Sequence, residues 1–185
     1  MKLCITLFCL TLPMLALSQA NTAYGNFKLV EQEIIYQKIF LEDSASAAKL
    51  GEYYKTLAYL SNVQVSGDEI TFDANDLIVD YKKFQFTQVG TPNIIQTGKY
   101  SGHAVVGVKD GKYRLTVSDI QLTGDIGYKK ILAKEMLTSF AAKNNGTFLS
   151  PDWCRPNMLG LLDQAFTDKL RFIALKRKKK DDADW

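Results

Sequence analysis

Apolar and polar residues alternate along much of the chain, and this pattern predicts strands around one early helix. Residues 33–40 are β-branched and aromatic and predict a first, largely buried strand. A helix is predicted to begin after Asp43 and Ser44, which can cap its first amides, and to end near residues 61–62. Its apolar face consists of residues at three- and four-residue spacing: Ala47, Leu50, Tyr54 and Leu57.

The next segment carries β signals. Residues 63–73 contain a polar interruption at 66–68, so they predict either one bulged strand or a short hairpin. Residues 77–86 alternate with a change of phase at Lys82-Lys83, which predicts a strand with a bulge. Residues 90–98 contain proline and terminal glycines and predict a loop.

The clearest hairpin lies in residues 100–120. Asp110-Gly111 can adopt the positive φ angles of a tight turn between the two arms. In the second arm Tyr113, Leu115 and Val117 alternate strictly with polar residues. We therefore expect one face of this strand to be buried and the other to be exposed to solvent.

Two helices are predicted in the C-terminal part. The first covers residues 128–143 and ends at the turn-forming residues 144–146, after which residues 147–156 are irregular. The last helix has a continuous apolar stripe that consists of Leu159, Leu162, Phe166, Leu170 and Ile173. The fold class is therefore α+β, with β-α-β-β-β-β-α order, a twisted antiparallel sheet, helices packed on one face and a helical insertion before the last helix.

The N-terminus predicts export. Lys2 precedes an apolar stretch of residues 3–17, which is too short for a membrane span of about 20 residues. Small residues allow cleavage after Ser18, which we favour, or after Ala20. The expected organisation is a signal peptide in 1–18, a linker in 19–32, a single α+β domain in 33–177 and a charged tail in 178–185. An uncleaved anchor is the alternative, but no stop-transfer pattern follows the apolar stretch.

The net charge says little about function, because the excess of basic over acidic residues is concentrated near the C-terminus. The chain has 23 Lys and Arg against 20 Asp and Glu, but residues 176–180 are all basic and are followed by acidic residues. Without Lys2 and the charged residues of 176–185, basic and acidic residues are equal in number. This balance argues against a nucleic-acid binder, which must neutralise phosphates. The basic run leaves open a weak contact with a membrane surface, against the simpler interpretation of a solvated tail.

Cleavage would leave Cys154 as the only cysteine, so no internal disulfide is expected. A hydrolase with Cys154 as nucleophile and His103, the only histidine, as base is the one enzymatic arrangement that the residue types offer. The alternative is a half-buried Cys154 that packs beside Trp153 as a small apolar residue. No flanking signature favours the hydrolase, and no catalytic residue is assigned.

Three acidic residues, Asp73, Asp76 and Asp80, are close in sequence but lack the spacing of a calcium loop. We interpret them as solvated acids of strands and turns. No metal site and no cofactor is predicted.

Residues 33–40, which contain a Tyr-Gln-Lys-Ile-Phe sequence, and the Asp110-Gly111 hairpin followed by Tyr113 and Arg114 also carry a resemblance. Over about residues 33–120 the chain resembles a bacterial secreted domain of unknown function with a TBP-like fold. The resemblance implies a twisted antiparallel sheet with helices on one face, in an envelope protein of a Gram-negative bacterium. It implies no catalytic residues, and the fold name does not by itself imply DNA binding.

These observations favour an exported protein of the periplasm or cell envelope, or an extracellular one. The leading hypothesis is a non-enzymatic module that binds a protein, peptide or small ligand through the sheet surface or a groove between sheet and helix. The alternatives are a hydrolase that uses Cys154 and a structural protein that maintains the envelope. No transmembrane segment is expected after cleavage.

Overall fold

The architecture is an antiparallel sheet that is covered on one face by helices. A computed structural model of the chain describes residues 21–127 and 129–173. The strands of the described part are β1 (Ala23–Tyr24), β2 (Phe27–Val30), β3 (Glu33–Leu41), β4 (Leu60–Ser66), β5 (Glu69–Ile78), β6 (Lys99–Lys109), β7 (Lys112–Asp125), β8 (Lys130–Met136), β9 (Ala142–Lys143) and β10 (Phe148–Leu149). The helices there are α1 (Ala47–Lys55), α2 (Asn93–Thr97), α3 (Thr138–Ala141) and α4 (Leu159–Leu170).

The main sheet has the strand order β1-β2-β3-β7-β6-β5-β4, and every neighbouring pair is antiparallel. The long strand β7 has two partners on the same side. Its first half pairs with β3, from Lys112 opposite Leu41 to Val117 opposite Tyr36, and its second half pairs with β8. The α+β class, the antiparallel sheet and the helices on one face are as the sequence predicts.

The core lies between the sheet and the helices. Side chains of alternate strand residues point into it, as Ile34, Tyr36 and Phe40 do in β3. Phe166 of α4 packs against the rings of Phe27 and Tyr36, with centroid distances of 5.7 and 5.3 Å. These contacts place α4 over β2 and β3.

Several predicted elements are confirmed. Residues 33–40 form strand β3, the segment around residues 66–68 is a hairpin rather than one bulged strand, and Asp110-Gly111 joins β6 to β7. The last helix forms as α4. Its predicted stripe is buried as far as Leu170, but Ile173 lies beyond the helix and is 59% exposed.

The predicted linker in 19–32 is wrong for part of its length. Within this range β1 and β2 form a hairpin, and β2 pairs with β3. Phe27 is fully buried and packs against Tyr36. The segment has too few apolar residues to show a period, so its pairing depends on long-range contact with the sheet.

The first helix is shorter than predicted. Its N-cap is Ser46, whose side chain accepts a hydrogen bond from the Lys49 amide at 3.3 Å, rather than Asp43 or Ser44. It ends at Lys55 because residues from Leu60 onward pair with β5. Leu57, predicted on its apolar face, therefore lies after the helix.

The predicted strand of residues 77–86 and the predicted loop of residues 90–98 are also corrected. Strand β5 ends at Ile78, because the Asp80 carboxylate accepts a hydrogen bond from the Lys83 amide at 3.1 Å and forms a turn. Within residues 90–98, α2 forms after Pro92 and buries Ile94 and Ile95.

The predicted helix of residues 128–143, and with it the helical insertion, is mostly wrong. Residues 130–136 are strand β8, and only residues 138–141 form a helical turn. The segment is rich in helix-forming Lys, Ala, Glu and Met, but pairing with β7 buries Ile131 and overrides this preference. The predicted signal peptide and the charged tail lie outside the described residues.

Candidate functional site

A groove of about 630 Å³ lies beside the last helix. One wall is formed by the side of α4, a second by Lys38 and Glu42 of the β3 region, and a third by Phe84 of the turn after β5. The end of the groove is formed by Arg171, Phe172 and Ile173. We call this the α4 groove. Its volume falls within the range of ligand pockets, about 300–1,000 Å³.

The position of α4 is fixed at its C-terminus by tyrosines. The hydroxyls of Tyr59 and Tyr54 donate hydrogen bonds to the main-chain oxygens of Lys169 and Leu170, at 2.7 and 3.0 Å. Tyr53 reaches the Arg171 oxygen at 3.3 Å. The last carbonyls of a helix have no partner within the helix. Here these tyrosines satisfy them, so the end of the groove is held against α1 and the segment that follows it.

A hydrogen-bond network forms the floor of the groove. Lys38 Nζ donates to Thr167 Oγ1 at 2.8 Å, and the Tyr36 hydroxyl lies 2.9 Å from the same oxygen. Thr167 Oγ1 donates in turn to Asp163 Oδ1 at 3.3 Å. A hydroxyl has one proton and two acceptor positions, so Tyr36 is the donor to Thr167. Asp163 is fixed by Asn26, whose side-chain amide lies 2.8 Å from Oδ1.

Burial supports this assignment for Tyr36. Removal from water raises the pKa of the Tyr36 hydroxyl far above its ordinary value, because the charged phenolate would lose its hydration. The hydroxyl therefore stays protonated and remains a donor. The network orients Lys38 but does not neutralise it, since its acceptor, Thr167, is uncharged.

The groove contains two cations that have no ion pair within 4 Å in the described part of the chain, Lys38 and Arg171. The Lys38 ammonium also lies 5.7 Å from the centre of the Phe40 ring. Three acids also line the groove, and each has another partner: Asp168 is paired with Lys83 at 2.6 Å, Asp163 is bound by Asn26, and Glu42 accepts a hydrogen bond from the Ser44 hydroxyl. The half-buried Phe84 and the exposed Ile173 add apolar surface. A ligand with an anionic group and an apolar part fits this arrangement.

The structure does not bring the predicted nucleophile and base together. Cys154 lies near Tyr24 of β1, and burial raises the pKa of its thiol, which disfavours the reactive thiolate. His103 lies on β6, where its Nδ1 is 2.8 Å from Asp73 Oδ1. Strands β1 and β6 are four positions apart in the sheet, roughly 19 Å at the usual strand spacing. Cys154 is half-buried beside Trp153 and packs against the core, as the alternative interpretation expects.

The three acidic residues each have a different protein partner. Asp73 is hydrogen-bonded to His103 and to Asn62, and these bonds lower the pKa of its carboxyl. Asp76 lies 3.8 Å from the ammonium of Lys99, and Asp80 caps the turn described above. No group of three or more potential metal ligands occurs within residues 21–127 and 129–173.

The residues of the α4 groove were not predicted from the sequence, although one signal was present. In β3 the core-facing residues are Ile34, Tyr36 and Phe40, and Lys38 has the same parity. A lysine on the buried face of a strand needs a partner or an opening to solvent. This position could have indicated a polar site at the edge of the core. Its partner Thr167 is 129 residues away, so no local pattern could have identified it.

Comparisons with known proteins give two structural neighbours. The chain matches no family model, and no curated protein matches it. It is similar to the crystal structure of a TBP-like protein from Parabacteroides distasonis ATCC 8503, at 13% identity and a TM-score of 0.43 over 76% of this chain and 88% of that chain. It is also similar to a DUF4468 family protein from Bacteroides ovatus ATCC 8483, at 14% identity and a TM-score of 0.45 over 83% and 95%.

Both neighbours are bacterial proteins, and the first has the fold description that the sequence resemblance gives. The α+β class of this chain is shown by its own sheet and helices. Neither neighbour's description includes a ligand or an activity. Within the described residues no helix is long and apolar enough to cross a membrane.

Proposed function

We propose that the protein is a non-enzymatic binding module and that its ligand occupies the α4 groove. The ligand is a peptide, a segment of a protein or a small molecule with a carboxylate or similar anion next to an apolar part. Lys38 and Arg171 would bind the anion, and Phe84 and Ile173 would contact the apolar part. The tail residues 178–185 have no role in this proposal.

The observation that carries the proposal is the pair of cations without an ion-pair partner in the described residues, Lys38 and Arg171, in a groove of about 630 Å³. When an anion approaches an ammonium group that is partly removed from water, their attraction lowers the free energy of the complex. Lys38 is already oriented by Thr167, so binding would not require it to be ordered first. The carboxylates that line the groove, Glu42, Asp163 and Asp168, form no ion pair within 4 Å with Lys38 or Arg171, so both cations can bind the anion of a ligand.

The hydrolase alternative has less support. The burial of Cys154 raises the pKa of its thiol, and His103, on a strand far from Cys154, is hydrogen-bonded to Asp73. The alternative of a structural role in the envelope predicts no ligand for the groove. It is therefore distinguished from the present proposal by the binding experiment below.

Export to the periplasm or cell envelope, or to the exterior, is part of the proposal. Its support is the positive, apolar and small-residue order of residues 1–20. N-terminal sequencing of the natively expressed protein should find Gln19 or Asn21 as the first residue. A first residue of Met1 would contradict export by cleavage.

The binding proposal can be tested with a variant that fills the groove from its exposed side. Gln164 of α4 lines the groove and is exposed, so Gln164→Trp should block it without removing a core contact. Lys49→Trp is the matched control, because Lys49 is an exposed residue of α1. Short peptides and small carboxylates from envelope extract would be screened by thermal shift against both variants and the wild type.

The expected result is a ligand that raises the melting temperature of the wild type and of Lys49→Trp but not of Gln164→Trp, because only a bound ligand stabilises the native state by mass action. Arg171→Gln should weaken the same effect, whereas Arg155→Gln should not, since Arg155 is already paired with Asp152. Ligands that stabilise all the variants equally would place the binding site elsewhere. Turnover of the ligand would contradict the non-enzymatic assignment.

A further inference from the structure

A second depression lies on the opposite face of the sheet, near the turn between β6 and β7. It has a volume of about 300 Å³ and is lined by Ile39, Gly107, Val108, Lys109, Lys112, Tyr113 and Arg114. We call it the hairpin depression. It is separate from the α4 groove, with which it shares no lining residue.

The depression exists because Gly107 has no side chain. A Cβ built at this position would have no atom within 4 Å, so the space above the strand is open. In the sheet Gly107 is paired with Arg114 of β7, and Arg114 is paired with Ile39 of β3. The row of residues across the open face is therefore Ile39, Arg114, the gap at Gly107 and then Glu69 of β5.

Apolar surface continues beside the gap. Ile39 is 60% exposed and Leu41, two residues further along the same face of β3, is 81% exposed. A ligand that covers a large aliphatic side chain lowers the free energy of the complex, because apolar surface is removed from water. Polar residues occupy the neighbouring row, in which Gln37 donates a hydrogen bond to Thr116. On β3, the exposed aliphatic side chains Ile39 and Leu41 therefore lie at the end of the strand that borders the depression.

Three cations surround this surface. Lys109, Lys112 and Arg114 line the depression, and none of them has an ion pair within 4 Å in the described residues. The acids near this end of the sheet include Glu69, which is paired with Gly107, Asp110 of the turn, and Asp43, whose carboxylate approaches Gly111. None of these acids lines the depression, so the charged residues of its lining are all basic.

We infer that the hairpin depression is a second binding site, which takes an anionic amphiphile: a carboxylate or a similar anion on a short alkyl chain. The alkyl chain would fill the space above Gly107 and cover Ile39. The anion would lie among the ammonium and guanidinium groups of the rim. Charge complementarity supports an anionic ligand rather than a neutral or cationic one.

The experiment uses octanoate as the probe, at low ionic strength and below its micellar concentration, with calorimetry as the measurement. Acetate is the control without a chain, and octylammonium is the control with the opposite charge. The expected result is saturable binding of octanoate alone. Equal binding of octylammonium, or no binding of octanoate, would overturn the inference.

Gly107→Val is the variant that tests the location. It adds a β-branched side chain, which strands favour, in open space, so the fold should be retained. We expect it to weaken octanoate binding by at least about tenfold, because it fills the space for the alkyl chain. Thr71→Val, on the same face of β5, and Gln164→Trp in the α4 groove should both bind octanoate as the wild type does. Unchanged binding by Gly107→Val would overturn the location.

The rim is tested separately, in case Gly107→Val disturbs the sheet. Arg114→Gln and Lys112→Gln should each weaken octanoate binding by up to about fivefold and reduce its dependence on salt, while Lys130→Gln on β8 should not. A last arm adds vesicles of anionic or zwitterionic lipid. Binding to the anionic vesicles without any binding of monomeric octanoate would show a membrane-contacting surface instead and overturn the inference.

Discussion

The hydroxyl of Tyr54 donates a hydrogen bond to the main-chain oxygen of Leu170, over a distance of 3.0 Å. Both residues are fully buried, so this bond joins α1 to the last turn of α4 inside the core. Together with the bonds of Tyr53 and Tyr59 to the adjacent carbonyls, it fixes the helix end that forms the α4 groove.

Tyr54→Phe should lower the free energy of unfolding by about 1–3 kcal/mol, because it leaves the buried Leu170 oxygen without a partner. Tyr53→Phe is the matched control and should cost less, since its bond is exposed and 3.3 Å long. Chemical denaturation measures both. If both variants lost the same free energy of unfolding, burial would not determine how much these hydrogen bonds contribute to stability.

Phe166→Ala should lower the free energy of unfolding by about 3–5 kcal/mol, because the buried Phe166 packs against the rings of both Phe27 and Tyr36. Ile173→Ala should cost little, since Ile173 is 59% exposed. Thermal or urea unfolding tests this pair. If Phe166→Ala left stability unchanged, α4 would not be part of the core and the groove beside it would not exist as described.

The tyrosines also predict how stability depends on alkaline pH. Burial raises the pKa of Tyr59 and of Tyr113 to about 12, whereas a tyrosine of the unfolded chain loses its proton near pH 10, at about the ordinary value. Above that pH the unfolded state therefore binds fewer protons than the native state. The stabilising effect is complete below about pH 10 and is lost as the pH rises towards 12.

Melting temperatures measured between pH 8 and 12 would test this dependence. They should be steady up to about pH 10 and then fall, and the fall should be shallower in Tyr59→Phe, which removes one of the raised groups. A fall of the same steepness in wild type and variant would contradict the role given to Tyr59.

Cys154 should react slowly with thiol reagents at neutral pH, because burial raises the pKa of its thiol and keeps it protonated. Free cysteine is the control, and the labelling rate of Cys154 should rise only at a higher pH than the labelling rate of free cysteine does. Rapid labelling at neutral pH would revive the hydrolase alternative.

Reducing agent should leave the melting temperature unchanged, since Cys154 has no partner for an internal disulfide in the expected mature chain.

The sequence was a good guide where local and long-range preferences agree. The Asp110-Gly111 turn and the alternation of Tyr113, Leu115 and Val117 predict the same hairpin that the sheet requires, so β6 and β7 form as expected. Residues 130–136 show the opposite case. Their composition favours a helix, but their backbone pairs with the far end of β7, a contact that no local pattern contains.

The sequence predicts less of the candidate site than of the fold. The α4 groove depends on contacts between distant parts of the chain: Lys38 meets Thr167 over 129 residues, and Tyr54 meets Leu170 over 116. The sequence offered Cys154 and His103 instead, because single chemical groups are visible in a sequence and grooves are not. Only the parity of Lys38 in β3 pointed to the groove.

The central claim, that the α4 groove binds a ligand, is tested most directly by mapping the bound site. Amide chemical shifts of the ¹⁵N-labelled protein would be measured during titration with the peptide or carboxylate that gives the largest thermal shift. We predict saturable changes at Lys38, Thr167 and Arg171, the same changes in Lys49→Trp, and none of them in Gln164→Trp. Saturable changes that lie outside the groove, or that persist unaltered in Gln164→Trp, would contradict the claim.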